Sequence, residues 1–311
     1  MPFAEYKSVP FLARKAAVTQ LPSVASLATL RSLPAPKGKR EMFIGFGDPW
    51  FSQEQAEAAR GQGGTQVAQV AQQLQTRGAK LVRRSAPATQ SVDSAELALL
   101  PRLPETADEV RDIALALKAD PTKDVFLGAE ANVKNVKSGN LANRRIIVFA
   151  THGLVPGDLN GLTQPALALS APNVAKVDGD GLLTMEEILG LKLNADWVVL
   201  SACNTATGAG AGAEAVSGLG RAFFYAGTRA LLVSNWPVET VSARILTTDL
   251  FRRQAENSQL ARGEAMRQAE LALIDAPGSI DERTKQPAYS YAHPIFWAPF
   301  TVVGDGGQSA N

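Results

Sequence analysis

The chain has 311 residues, with 31 Lys plus Arg against 30 Asp plus Glu and a single cysteine. That length allows one large or two small globular units around a substantial core, while a net charge of +1 provides no field to gather nucleic acid or an anionic membrane. One thiol excludes an internal disulfide and argues against a cysteine-rich zinc site.

The opening "MPFAEYKSVPFLARKAAVTQ" scatters charges through its length and lacks a signal-peptide apolar core, and no later run reaches the ~18 apolar residues of a membrane span. The expectation is a protein of the reducing cytoplasm with no nucleic-acid or membrane partner, and its first residues are compatible with a piece of a longer protein. "APKGKR" (35–40) reads as a solvated turn into a first strand, "MFIGF" (42–46), buried on both faces. After a flexible loop by composition, "GQGGTQ" (61–66), the run "KLVRR" (80–84) reads as a second strand. "ETADEVRDIALALKAD" is helical: Val110, Ile113 and Leu117 recur at helical spacing, and Thr106 with Glu109 three residues on predicts a capping box.

"RIIVFA" (145–150), "WVVLSA" (197–202) and "RALLVSN" (229–235) are further strand runs. Between the last two, "GAEAVSGLGRAFFYAG" predicts a helix that ends on Gly227. Two more helical patterns follow, then "HPIFWAPFTVVGDGG", a closing strand with a flexible tail over 304–311. Strands alternating with helices predict an α/β domain with a mainly parallel sheet and no internal repeat.

In such sheets functional groups gather at the carboxyl ends of the strands. Cys203 sits just past one such end in "WVVLSACNTATG", and His152 just past another in "RIIVFATHG". If these strands are neighbours, thiol and imidazole face each other across the crevice. The other histidine, His293, precedes a proline in "YAHPIFW", an extended turn with no obvious approach to the crevice. His152 lies about 50 residues upstream of the thiol, as in caspases, whose Gln-Ala-Cys signature shares Ala-Cys with "SACNT".

At these residues the sequence resembles the CHAT domain family, caspase-like peptidases often attached to tetratricopeptide repeats, within the caspase, separase and gingipain clan. The matching pieces are "AVTQLPSVASL", "GFGDPWF", "FATHG", "LALS", "DGLLTMEEI", "ADWVVLSACNTATG", "GLGRAFFYAGTRALLVSNWPV" and "HPIFWAPFTVVGD", collinear over nearly the whole chain. The resemblance implies a caspase-like three-layer α/β/α sandwich with a mainly parallel central sheet. It also implies a single domain over 1–311 that starts just inside the family's usual N-terminal boundary. Cys203 would be the nucleophile and His152 its dyad partner, and the N–H groups of Gly153 and Cys203 would form the oxyanion hole. That chemistry needs no metal or cofactor.

Asp48, in "GFGDPWF", occupies a crevice-side position where related folds place specificity residues. It would pair with a basic side chain before the cut (P1), or else merely form the turn before Pro49. Ser234 and Trp236 would line the same pocket, Trp236 also contributing to the core. The expected partners are a protein or peptide substrate and a regulatory tetratricopeptide-repeat module or activator protein. The resemblance to bacterial CHAT proteins implies regulated proteolysis of a dedicated target. Two rival readings fit the same residues: a catalytically silent interaction module, and an acyltransferase or esterase that uses the same thiol.

Two further patterns carry less. "KVDGDGLLTMEE" nearly spells a calcium loop, but Lys176 stands at its first ligand position and no helix leads in. A turn at 178–181 before a short helix after Thr184 is the better reading. "GAGAGAEA" (208–215) lacks the Gly-Lys-Ser/Thr ending of a phosphate loop and reads as a mobile loop.

Overall fold

The computed structural model describes residues 3–33, 38–61, 76–77, 94–201, 211–236, 238–280 and 287–307. The expected strand over 80–84, most of the glycine-rich loop at 61–66, the first part of the 208–215 loop and Cys203 itself lie outside them.

Among the described residues, apolar runs too short for helices pair into one six-stranded sheet. Its strands are β1 (Glu41–Gly47), β2 (Val125–Leu127), β3 (Arg144–Ala150), β4 (Trp197–Leu200), β5 (Ala230–Ser234) and β6 (Phe300–Gly304). Their spatial order is β6-β5-β4-β3-β1-β2, with β1 to β5 parallel and β6 antiparallel at one edge. The chain thus runs from β1 outward to β2, then returns across β1 to place β3 on its other side. The strand order reverses between β1 and β3, the place where a doubly wound sheet opens a crevice at its carboxyl edge.

Helices cover both faces, as three layers require. Successive residues of each strand point to opposite sides. Phe43, Ile146, Val148 and Trp197 meet helices α1 (Glu105–Ala116), α3 (Thr240–Glu256) and α4 (Arg262–Asp275) through Val110, Leu246, Phe251 and Met266. Ile44, Ile147, Phe149 and Val198 face the other way, onto Leu219 and Phe223 of α2 (Ala211–Ala226) and onto Val136 and Ile188 of two shorter helices. Burying one such side chain contributes ~1.5–3 kcal/mol, so the two apolar layers hold the sheet. As expected, α2 stops at Gly227, whose φ is +114° and where a Cβ would lie 2.3 Å from the Leu193 carbonyl oxygen. Only glycine fits that position.

Three local expectations change. Thr106 does not cap α1; Pro104 holds that position without a side-chain hydrogen bond. Its hydroxyl instead donates to the Leu103 carbonyl at 2.8 Å and accepts the Asp48 N–H at 2.7 Å, because tertiary contact offers Thr106 a buried partner that a cap would not. Of the tail expected to be flexible from residue 304, residues 304–307 are fixed. Asp305 is buried, the N–H groups of Arg262 and Gly263 donate to the carbonyls of Gly307 and Gly306, and the Arg262 guanidinium donates to Asp305 O and Gly307 O. A short three-stranded antiparallel sheet, Gly153–Leu154, Ala166–Ala168 and Leu182–Thr184, follows β3 and was not anticipated. The helix after Thr184 does form, over Met185–Leu189, with a Thr184–Glu187 capping box. Among the described residues, no helix is long and apolar enough to cross a membrane.

Burial pushes the carboxyl of Glu270, on α4, up to about 8 against the pull of Arg267. Between its ordinary 4.5 and about 8 the folded state keeps a proton that the unfolded chain has lost, so stability falls as pH rises through that window. Urea unfolding between about pH 5 and 8 is expected to show a decline on the order of 1 kcal/mol per pH unit from this group. Glu270→Gln flattens that decline.

Candidate functional site

Four adjacent strands end at the same edge of the sheet, and three of them, β1, β3 and β5, deliver the residues Asp48, His152 and Ser234 singled out in the sequence. Asp48 follows β1, Thr151 and His152 follow β3, Ser201 follows β4, and Ser234 closes β5. The parallel registers Phe46–Phe149, Phe149–Leu200 and Leu200–Val233 bring these ends level. Cys203 lies two residues beyond Ser201, outside the described residues. Gly153 opens the first strand of the small sheet, half-buried. Trp236, two residues past Ser234, is 37% exposed, while Ser234 is fully buried.

His152 is 4% exposed. Its backbone is clamped to the small sheet: Ala168 N–H donates to His152 O at 2.9 Å, and the Thr151 hydroxyl donates to the Ala168 carbonyl. Its ring lies 5.6 Å from that of Phe51, and Nε2 sits 2.8 Å from the Pro101 carbonyl oxygen. A carbonyl can only accept, so this contact selects the tautomer with the proton on Nε2. Nδ1 of the neutral ring then carries the lone pair.

Asp48 is 4% exposed and adopts φ +46°, a left-handed conformation that Asp tolerates better than most residues. Its carboxylate accepts a two-bond fork from Arg102, Nε to Oδ1 at 2.8 Å and Nη2 to Oδ2 at 2.6 Å. Burial pushes the Asp48 carboxyl above the usual carboxylate range, and Arg102 pulls against that shift. Two residues on, Trp50 donates its backbone N–H to the Ser170 hydroxyl at 2.8 Å, and Ser170 in turn donates to the Gly128 carbonyl. Gly128, at φ +54°, lies so close to the Trp50 indole that a Cβ would come within 2.6 Å of it.

Pro101 and Arg102 are therefore two consecutive residues of one strap, the first on the imidazole and the second on the carboxylate. Sequence reasoning missed both. Pro101 acts through a backbone carbonyl, which any residue supplies, and the only trace is the proline-flanked "LLPRLPET" ahead of α1. His293 stays out of the site, capping the helix Pro294–Trp297 through Nδ1. Behind the crevice, the buried Glu109 carboxylate of α1 accepts the Ser201 hydroxyl at 2.9 Å and the Thr247 hydroxyl of α3 at 3.0 Å. It ties the end of β4, which leads to Cys203, to two helices of one layer. Among the described residues no group of three or more His, Cys, Asp or Glu side chains is arranged to hold a metal ion.

A sequence model of the CHAT domain matches residues 1–305. Tetratricopeptide repeat protein 28 of Mus musculus is 31% identical over 125 residues, which is 40% of this chain and only 4% of that protein's length. Two solved structures align partially. The Arg-specific cysteine proteinase gingipain R has 13% identity and a TM-score of 0.37, over 66% of this chain and 42% of that one. The complex of Porphyromonas gingivalis RgpB pro- and mature domains has 14% identity and a TM-score of 0.38, over 66% and 44%. At those scores the fold assignment stands on the sheet order and layers alone.

Glu109→Ala would remove the buried acceptor that the Ser201 and Thr247 hydroxyls share and open a cavity between α1, α3 and the end of β4, with Thr247 falling back on the Ala243 carbonyl at 2.9 Å. The expected loss is about 2–4 kcal/mol, read as a lowered urea midpoint, whereas Glu109→Gln keeps one acceptor oxygen and costs less.

Proposed function

The chain belongs to the CHAT domain family, and from that premise we propose that it is a cysteine endopeptidase working through Cys203 and His152. The observation that carries this reading is the His152 imidazole at the end of β3, its Nε2 on the Pro101 carbonyl, beside the strand that leads to Cys203.

Nδ1 of His152 takes the Cys203 proton, and the thiolate attacks the scissile carbonyl carbon to form a C–S bond. The oxyanion receives the N–H groups of Gly153 and Cys203, two donors aimed at charge that develops only as the reaction proceeds. As the C–N bond breaks, the leaving amine takes the proton from His152. Water then attacks the thioester, its proton passing to His152, and the thiol is regenerated as the acid product departs. No step calls for a metal or cofactor.

Asp48 and Trp236 form the substrate side of the crevice, from the ends of β1 and β5; Ser234, expected there from sequence, has no exposed surface and supports that wall from within. A protein substrate in the cytoplasm and regulated rather than digestive cleavage complete the reading. Family membership and the name of the mouse relative support a tetratricopeptide-repeat module or an activator protein as the regulator.

The test is mass spectrometry of a peptide library with basic, acidic and apolar P1 residues. Cleavage by the wild-type chain is expected, falling on the order of 10³-fold or more in Cys203→Ala and His152→Ala. Absence of cleavage, with iodoacetamide labelling Cys203 at the slow rate of an ordinary thiol, would instead favour a silent or activator-dependent interaction module.

A further inference from the structure

Asp48 is the group that a basic P1 side chain would need, and the chain already places a cation on it. The fork from Arg102 uses both carboxylate oxygens, the arrangement that makes guanidinium–carboxylate pairs strong and directional. The Arg102 side chain is 20% exposed and that of Asp48 6%, so water screens the pair little. The guanidinium also lies 5.9 Å from the centroid of the Trp50 ring, and that ring is held in place by its close contact with Gly128.

Neither partner is loosely mounted. The Asp48 N–H donates to Thr106, and its carbonyl accepts from Gly128 N–H at 3.1 Å. Arg102 is flanked by Pro101, whose carbonyl meets His152, and by Leu103, whose carbonyl accepts the Thr106 hydroxyl. Moving Arg102 aside would disturb the strap that sets the imidazole tautomer.

We infer that Arg102 is a specificity-determining residue: it satisfies the Asp48 carboxylate from within the chain, so that the pocket beside His152 takes an uncharged P1 side chain and rejects Arg and Lys. This rests on the peptidase reading above and reverses the sequence-based expectation that Asp48 pairs directly with a basic residue. An incoming cation either competes with a guanidinium tethered next to its carboxylate or lies beside that guanidinium as a like charge, and both disfavour it. A lysine ammonium is the weaker competitor, because it cannot reproduce the fork. With Arg102 neutralised, the buried carboxylate lacks its partner and a substrate guanidinium becomes the favoured occupant.

The experiment compares wild type with Arg102→Gln, which keeps much of the stem and neutral donors. The expected result is wild-type cleavage after uncharged residues in preference to Arg or Lys, and cleavage after Arg faster by about tenfold or more in the variant, a gain abolished in Asp48→Asn/Arg102→Gln. A second arm needs no turnover: in a Cys203→Ala background, calorimetry and thermal shift measure binding of Nα-acetyl-arginine amide. Binding by the Arg102→Gln protein and none by the Arg102 protein is expected, with Arg102→Lys, which keeps the charge but loses the fork, in between and available if the Gln variant does not fold. Preferential wild-type cleavage after basic residues, or equal probe binding with and without Arg102, would overturn the inference. A chain that cuts no peptide yet shows the binding difference would sink the peptidase reading and leave the assignment of Arg102 to this pocket intact.

Discussion

The central constraint is that β3 lies between β1 and β4 in parallel, paired on both edges over Ile146–Phe149 and covered on both faces. Once Ile147, Phe149 and their neighbours are buried in two directions, a parallel strand has no freedom to slip, because a shift of one residue would exchange the two apolar faces. The registers to β1 and β4 then fix the level at which each chain leaves the sheet. The crevice follows from this arrangement, since adjacent strands that stop together must release their next residues side by side.

What the sheet cannot do is aim the side chains it delivers. That falls to the strap over 101–104 and the small antiparallel sheet, which grip His152, one through its ring and the other through its backbone. The satellite apolar cluster that joins Phe51, Leu97, Leu100, Leu154 and Ala168 seats strap and small sheet against each other. The polar contacts at the crevice thus rest on a dry support, where a hydrogen bond is electrostatically stronger than in water.

The strands at 41–47, 144–150, 197–200 and 230–234 were legible because continuous apolar runs bounded by polar or small residues have few alternatives. β2 was not, since three half-buried residues leave no periodicity to read. The small sheet failed for the same reason, its strands being two or three residues long. Thr106 and Glu109 gave a correct helix for an incorrect reason: their spacing matched a capping box, whereas both side chains serve tertiary partners, Asp48 and Ser201 among them. Of the site, His152, Gly153, Asp48 and Ser234 could be placed at strand ends from sequence. Their mutual restraints could not, because the Pro101 carbonyl has no signature and Arg102 is separated from Asp48 by more than fifty residues.

The far edge of the sheet has a different significance. β6 would present an open row of backbone groups there, but Gln20 meets it, donating its N–H to Val302 O at 2.8 Å and accepting from Gly304 N–H at 2.8 Å, while Thr19 packs against Gly306. This early segment therefore acts as a guard against intermolecular strand pairing. If it were clipped or displaced, the backbone groups of Val302 and Gly304 in a strand without charged side chains would be open to pairing with other chains, a liability covered here by two residues that take no part in the crevice.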